Sequence, residues 1–137
     1  MRDIKFRAWD KRTKRLYQVQ ALQFYGTNNT VDACWTNGVD FDGESTLGEP
    51  ELNNLNNLVL MQYTGLKDSN GVEIYEGDIL QSEHYFKYQV VFKGDCWRCE
   101  SLKNSRFKNR FIGRDLTVIG NIWEDGDLID SERTKTY

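Results

Sequence analysis

One histidine, one proline and three cysteines are all that the 137 residues offer of three chemically or structurally decisive residue types. The odd thiol count matters because the charged start, MRDIKFRAWDKRTKR, leaves no room for a signal peptide's apolar stretch of about 7 to 15 residues. Reduced cysteines, no disulfide framework and a cytoplasmic setting in a bacterial cell are expected. Long apolar runs are missing as well. The longest, Leu58 to Met61, has four residues, against about 18 for a membrane-crossing helix, so no membrane partner is expected. There is no excess of positive charge: 18 Lys and Arg face 21 Asp and Glu, which disfavours sequence-blind binding to polyanions. No internal repeat is visible, and the one biased tract is the short ELNNLNN at 51–57, so a solenoid is excluded.

What is present is enough apolar material for a core, 39% of residues, with aromatics at 13%. Charge falls in blocks. Residues 1–15 hold seven bases and two acids, residues 32–78 ten acids against Lys67 alone, and residues 92–114 seven bases and two acids. Blocks of opposite sign attract within a subunit or between subunits, although an exposed pair is worth only about 0 to 1 kcal/mol.

Periodicity points to strands. Ile4, Phe6 and Ala8 alternate with Lys5, Arg7 and Trp9, the period of a strand with one face inward and the other toward solvent or a partner. The polar stretch Asp10 to Arg15 then reads as a hairpin loop before Leu16, Tyr17 and Val19. Val31, Ala33 and Trp35 alternate again, and Asn37-Gly38 predicts a type I′ turn closing a second hairpin with Val39 and Phe41. Around Pro50, Leu52, Leu55 and Leu58 the spacing admits either a short helix or an irregular loop pinned by leucines. Beyond it, strands are expected at Leu58–Tyr63, starting with Gly77-Asp78-Ile79-Leu80, at Tyr88–Phe92, Cys96–Leu102 and Leu116–Trp123. Turns are expected at Asp68–Gly71 and Lys93–Asp95. The fold class that follows is mainly β with few or short helices. It has an N-terminal β-hairpin lobe over 1–57, a small partly open barrel over 58–125 and a tail over 126–137.

Residue types with chemical potential are few. Cys96 and Cys99 have a zinc or redox spacing, and Cys34 with His84 would complete a ligand set. On a strand, however, a separation of three sends the two sulfurs to opposite faces. The acids Asp40, Asp42 and Glu49 fall at calcium-loop positions, but the first position would be Gly38, which has no side-chain oxygen. Neither set predicts a metal, and no catalytic residue or cofactor is assigned. The best cluster is basic. Lys11, Arg12, Lys14 and Arg15, with Lys103, Arg106, Lys108, Arg110 and Arg114, lie among Trp9, Tyr17, Trp97, Phe107 and Phe111. That mixture of charge and stacking surface suits single-stranded nucleic acid.

Three stretches, IKFRAWDKRTKRLY, LMQYTGLKDSNGVEIYEGDIL and VIGNIWED, resemble the YopX family of bacteriophage and prophage proteins. The resemblance implies a phage-encoded, β-rich protein with an SH3-like C-terminal part that self-associates, and it brings no catalytic residues with it. In the central stretch Gly65, Gly71 and Gly77 recur where turns or close backbone approaches are expected, and Tyr63, Leu66, Ile74, Tyr75 and Ile79 are the expected core. The function expected is non-enzymatic binding, to further copies of itself and to an unidentified host or phage protein. Nucleic-acid binding through the basic face is the alternative.

Overall fold

The computed structural model describes residues 2–24, 31–40, 51–53, 57–102 and 109–126. Among them are eleven strands and no helical element: β1 (Phe6–Asp10), β2 (Arg15–Phe24), β3 (Val31–Asp40), β4 (Glu51–Asn53), β5 (Leu58–Lys67), β6 (Glu73–Tyr75), β7 (Asp78–Gln81), β8 (Lys87–Lys93), β9 (Cys96–Ser101), β10 (Asn109–Arg110) and β11 (Thr117–Asn121). Every pairing is antiparallel, in the orders β4-β3-β2-β1-β5-β6 and β10-β9-β8-β7-β11. The chain is mainly β, as its periodicity indicates, with open sheets. No helix among the described residues is long and apolar enough to cross a membrane. Two compact units are resolved, one of Ile4–Gln62 and one of Met1–Asp3 with Tyr63–Tyr137.

In the first unit β1 pairs with β2 on one edge and with β5 on the other. The simple alternation expected for Ile4–Trp9 does not hold. Ile4 lies before the strand and is 65% exposed, while Arg7, Ala8, Trp9 and Asp10 are all buried. A strand paired on both edges and covered on both faces has no solvent side. Ala8 and Leu58 form a small core with Val19, Leu22 and Leu60. The β1–β2 loop is the expected hairpin. Lys14 N–H donates to the Asp10 carbonyl, and the Asp10 carboxylate accepts from the Arg12 and Thr13 N–H groups.

Two expectations in this unit are overturned. Asn37-Gly38 closes no hairpin, because β3 runs through it, and residues 37–39 face the single Gln18 between the pairs Tyr17↔Asp40 and Val19↔Thr36. An Asn-Gly pair that tolerates unusual φ serves a bulge as well as a turn. The helix-or-loop alternative also fails at Leu52, which sits in β4 opposite Trp35. Pairing along β3 prevails over weak helix propensity. Pro50 and Leu55 lie outside the described residues.

The second unit follows the sequence closely. The turn at Asp68–Gly71, the β8–β9 hairpin with Gly94 at φ 70°, and the closing strand β11 all form as expected. Ile74, Leu80, Tyr88, Val90, Cys99 and Leu116 make the core, with Trp97, Ile112 and Val118 packed against it. Each large apolar side chain buried there contributes about 1.5 to 3 kcal/mol. Of the five expected core residues of the central motif, Tyr63, Ile74, Tyr75 and Ile79 are buried and Leu66 is not.

Candidate functional site

The exposed Leu66 marks a feature of the second unit with the form of a binding site. Between the pairs Tyr63↔Tyr75 and Lys67↔Glu73, the three residues Thr64, Gly65 and Leu66 face Ile74 alone, so β5 bulges. Gly65 supplies φ +87°, where a side chain would strain the backbone. Buried Thr64 pins the bulge: its hydroxyl donates to the Ile74 carbonyl at 2.7 Å and accepts the Leu66 N–H at 3.1 Å. The geometry turns Leu66 away from the core and toward solvent.

Opposite the bulge stands the turn Ile112–Arg114. Here Leu116 N–H donates to the Gly113 carbonyl, and the Arg110 guanidinium clamps Asp115 through two bonds, 3.0 and 2.7 Å. A Cβ on Gly113 would come within 2.7 Å of the Asp115 carboxylate and 2.8 Å of the Arg110 guanidinium, so glycine lets the ion pair lie against the turn. The Arg110 hydrogen bond holds the Asp115 carboxyl below its usual value. Between bulge and turn lies a groove of about 490 Å³, walled by Tyr63, Gly65, Leu66 and Lys67 on one side and Ile112, Gly113 and Arg114 on the other. That volume falls within the range that holds small ligands or a few side chains. Lys67 and Arg114 are exposed, and no ion pair engages either among the described residues.

The basic residues singled out in the sequence fall in separate places. Lys11, Arg12 and Lys14 are exposed on the β1–β2 loop and Arg15 at the start of β2, in the first unit. Lys14 is held at φ 60°, a left-handed conformation costly for a side chain with a Cβ. In the second unit Arg110 is committed to Asp115, to the Phe111 carbonyl and to the Tyr88 ring at 5.8 Å, while Arg114 joins the groove. Lys103, Arg106, Phe107 and Lys108 lie outside the described residues. Of the aromatics, Trp9 is buried, Trp97 packs edge-on against Phe92, and Phe111 is 69% exposed with Arg98 over its ring.

Cys96 and Cys99 both lie on β9. Its pairing with β8 is regular from Cys96 to Ser101, so the two sulfurs point to opposite faces. Cys96 accepts from Arg98 Nε at 3.2 Å, whereas buried Cys99 donates to the Arg110 carbonyl at 3.5 Å. Burial pushes the Cys99 thiol up to about 11. His84 is exposed in the β7–β8 loop. Cys34 and Asp40 are on β3, and Asp42 and Glu49 lie outside the described residues.

A sequence profile described as YopX protein matches residues 5–130. The chain belongs to the YopX family. No curated protein matches it. Among solved structures it resembles the crystal structure of protein EF1440 from Enterococcus faecalis, with 29% identity over 94% of this chain and 99% of that one and a TM-score of 0.63.

Polar residues of the YopX stretches hold backbone. Asp10 caps the basic loop. Asp68, buried at the end of β5, accepts N–H groups from Asn70, Val72 and, fifty positions away, Val118. Burial pushes its carboxyl up, but the Val118, Val72 and Asn70 donors outweigh that and leave it below its usual value. Asp78 accepts the Tyr75 N–H at 2.8 Å, and Asn121 accepts those of Trp123 and Glu124. The groove was not singled out in the sequence, because Leu66 in YTGLK reads as one more core residue. The available signal is Gly65 inside a strand pattern, which marks a bulge.

Proposed function

We propose that this YopX-family chain is a phage-encoded protein of the bacterial cytoplasm that acts by binding, not by catalysis. In this reading it self-associates through an SH3-like C-terminal part and engages a host or phage protein. The observation that carries the reading is the groove between the β5 bulge and the Ile112–Arg114 turn. It combines half-exposed aliphatic side chains, Leu66 and Ile112, with two cations, Lys67 and Arg114. Arginine at a surface is among the residues protein interfaces use as anchors, and apolar surface beside it adds area to bury. The employment of the motif carboxylates as backbone caps supports a fold-bearing role for them. Light scattering after gel filtration tests self-association: the mass expected is a multiple of 16.1 kDa, and a monomer at high concentration counts against it.

A second reading, nucleic-acid binding, is favoured by one observation, four exposed cations gathered on the β1–β2 loop and the first residue of β2. Labelled single and double strands titrated across a salt series would show affinity falling as salt rises. Absence of binding at low salt removes this reading.

A further inference from the structure

We infer that the groove between the β5 bulge and the Ile112–Arg114 turn docks an acidic peptide segment of a partner protein, one that carries aliphatic side chains between carboxylates. This rests on the binding reading above and names the partner's chemistry. Three features of the groove point the same way. Leu66 from the bulge and Ile112 from the turn both line it, so the lining suits aliphatic side chains. Lys67 stands on one wall and Arg114 on the other, neither with an ion-pair partner among the described residues, so a segment lying between them meets positive charge on both sides. Charge complementarity of this kind fixes the register and sign of a partner.

A nucleic acid fits less well. The aromatic residue in the lining, Tyr63, is 6% exposed and packed against Tyr75 at 5.4 Å between ring centroids, so it offers no open face on which a base could stack. The walls are built rather than incidental. Thr64 pins one through the Ile74 carbonyl and the Leu66 N–H, and the Arg110–Asp115 clamp underlies the other. A partner segment therefore enters a preformed cleft, which lowers the ordering cost of binding.

The test uses the full chain and a fluorescein-labelled hexapeptide, Glu-Asp-Leu-Leu-Asp-Glu, with the same peptide carrying Gln and Asn in place of the acids as control. Anisotropy should report binding with a dissociation constant on the order of 10 to 100 μM, weakened at least about tenfold for the control and for the double variant Lys67→Glu/Arg114→Glu. The charge-keeping double variant Lys67→Arg/Arg114→Lys should bind as the parent does, which separates loss of charge from loss of fold. Amide shifts in a nitrogen-15 spectrum should centre on Gly65–Lys67 and Ile112–Arg114. No binding at millimolar peptide overturns the proposal, as do equal binding of the control peptide, shifts centred on Lys11–Arg15, and groove shifts caused by oligothymidine but not by peptide. So does a light-scattering mass that falls in the charge-reversed variant while the peptide fails to bind, since the groove would then be the seam between copies. If peptide binding fails while the unaltered chain still scatters as an oligomer, this proposal fails and the self-association reading stands.

Discussion

Asp68 holds three backbone N–H groups with one buried carboxylate, and replacing it is the most informative single change in the second unit. In Asp68→Asn the amide NH2 must face one of those donors, so a loss of about 1.5 to 3 kcal/mol is expected at pH 7. The carboxyl's value in the folded chain is depressed. Its contribution is therefore complete above the unfolded value of about 3.9 and disappears as pH falls through the lower folded value. The gap between denaturant melts of parent and variant should begin to close below about pH 4 and vanish only as pH falls past the depressed folded value; a gap of constant size at every pH would contradict the charge-based account. Cys99 behaves in the opposite sense. With its thiol raised to about 11, it stays protonated and shielded in the folded chain at pH 8. Iodoacetamide followed by mass spectrometry should leave Cys99 intact until denaturant is added; labelling at the rate seen for Cys96 would refute this. The stability this thiol contributes is present below its ordinary value of 9.0 and is lost as pH rises toward about 11.

Among elements, β11 shows how closely a motif residue can be constrained by its neighbours. Its register against β7 shifts between Val118 and Gly120, and a Cβ on Gly120 would come 2.5 Å from the Asp125 carboxylate oxygen and 3.0 Å from the Asp125 Cβ. Since Asp125 accepts the Asn121 N–H, Gly120→Ala must push it aside, at a cost of about 1 to 3 kcal/mol. A thermal melt unchanged from the parent would show that Asp125 moves freely. Elements such as this one were legible in the sequence because their turns carry the chemistry they need: Gly94-Asp95, Asp68 to Gly71, and the polar run after Asp10. Those that were not legible depend on pairing between distant segments. Nothing near Leu52 says that β3 lies beside it, and nothing near Asn37-Gly38 says that β2 continues past it. The groove was illegible for a related reason, since the turning-out of Leu66 depends on which residues β6 offers to β5.

At the scale of the molecule, charge changes sign along the chain, from basic to acidic to basic. If those blocks contribute to self-association, the association must be sensitive to salt. Raising ionic strength from about 0.1 M to about 1 M shortens the screening length from about 10 to about 3 Å. The scattering mass is expected to fall over that interval, and a mass indifferent to salt would place the seam on apolar surface instead. The bond from Val118 to Asp68 has a further consequence, for synthesis. Hairpins β1–β2 and β8–β9 join residues close in the chain and can close early, whereas that bond joins positions fifty apart. Until the ribosome has released residue 118, Asp68 lacks one of its three donors and β7 lacks β11, so most of the polypeptide must be made before its second unit can be completed.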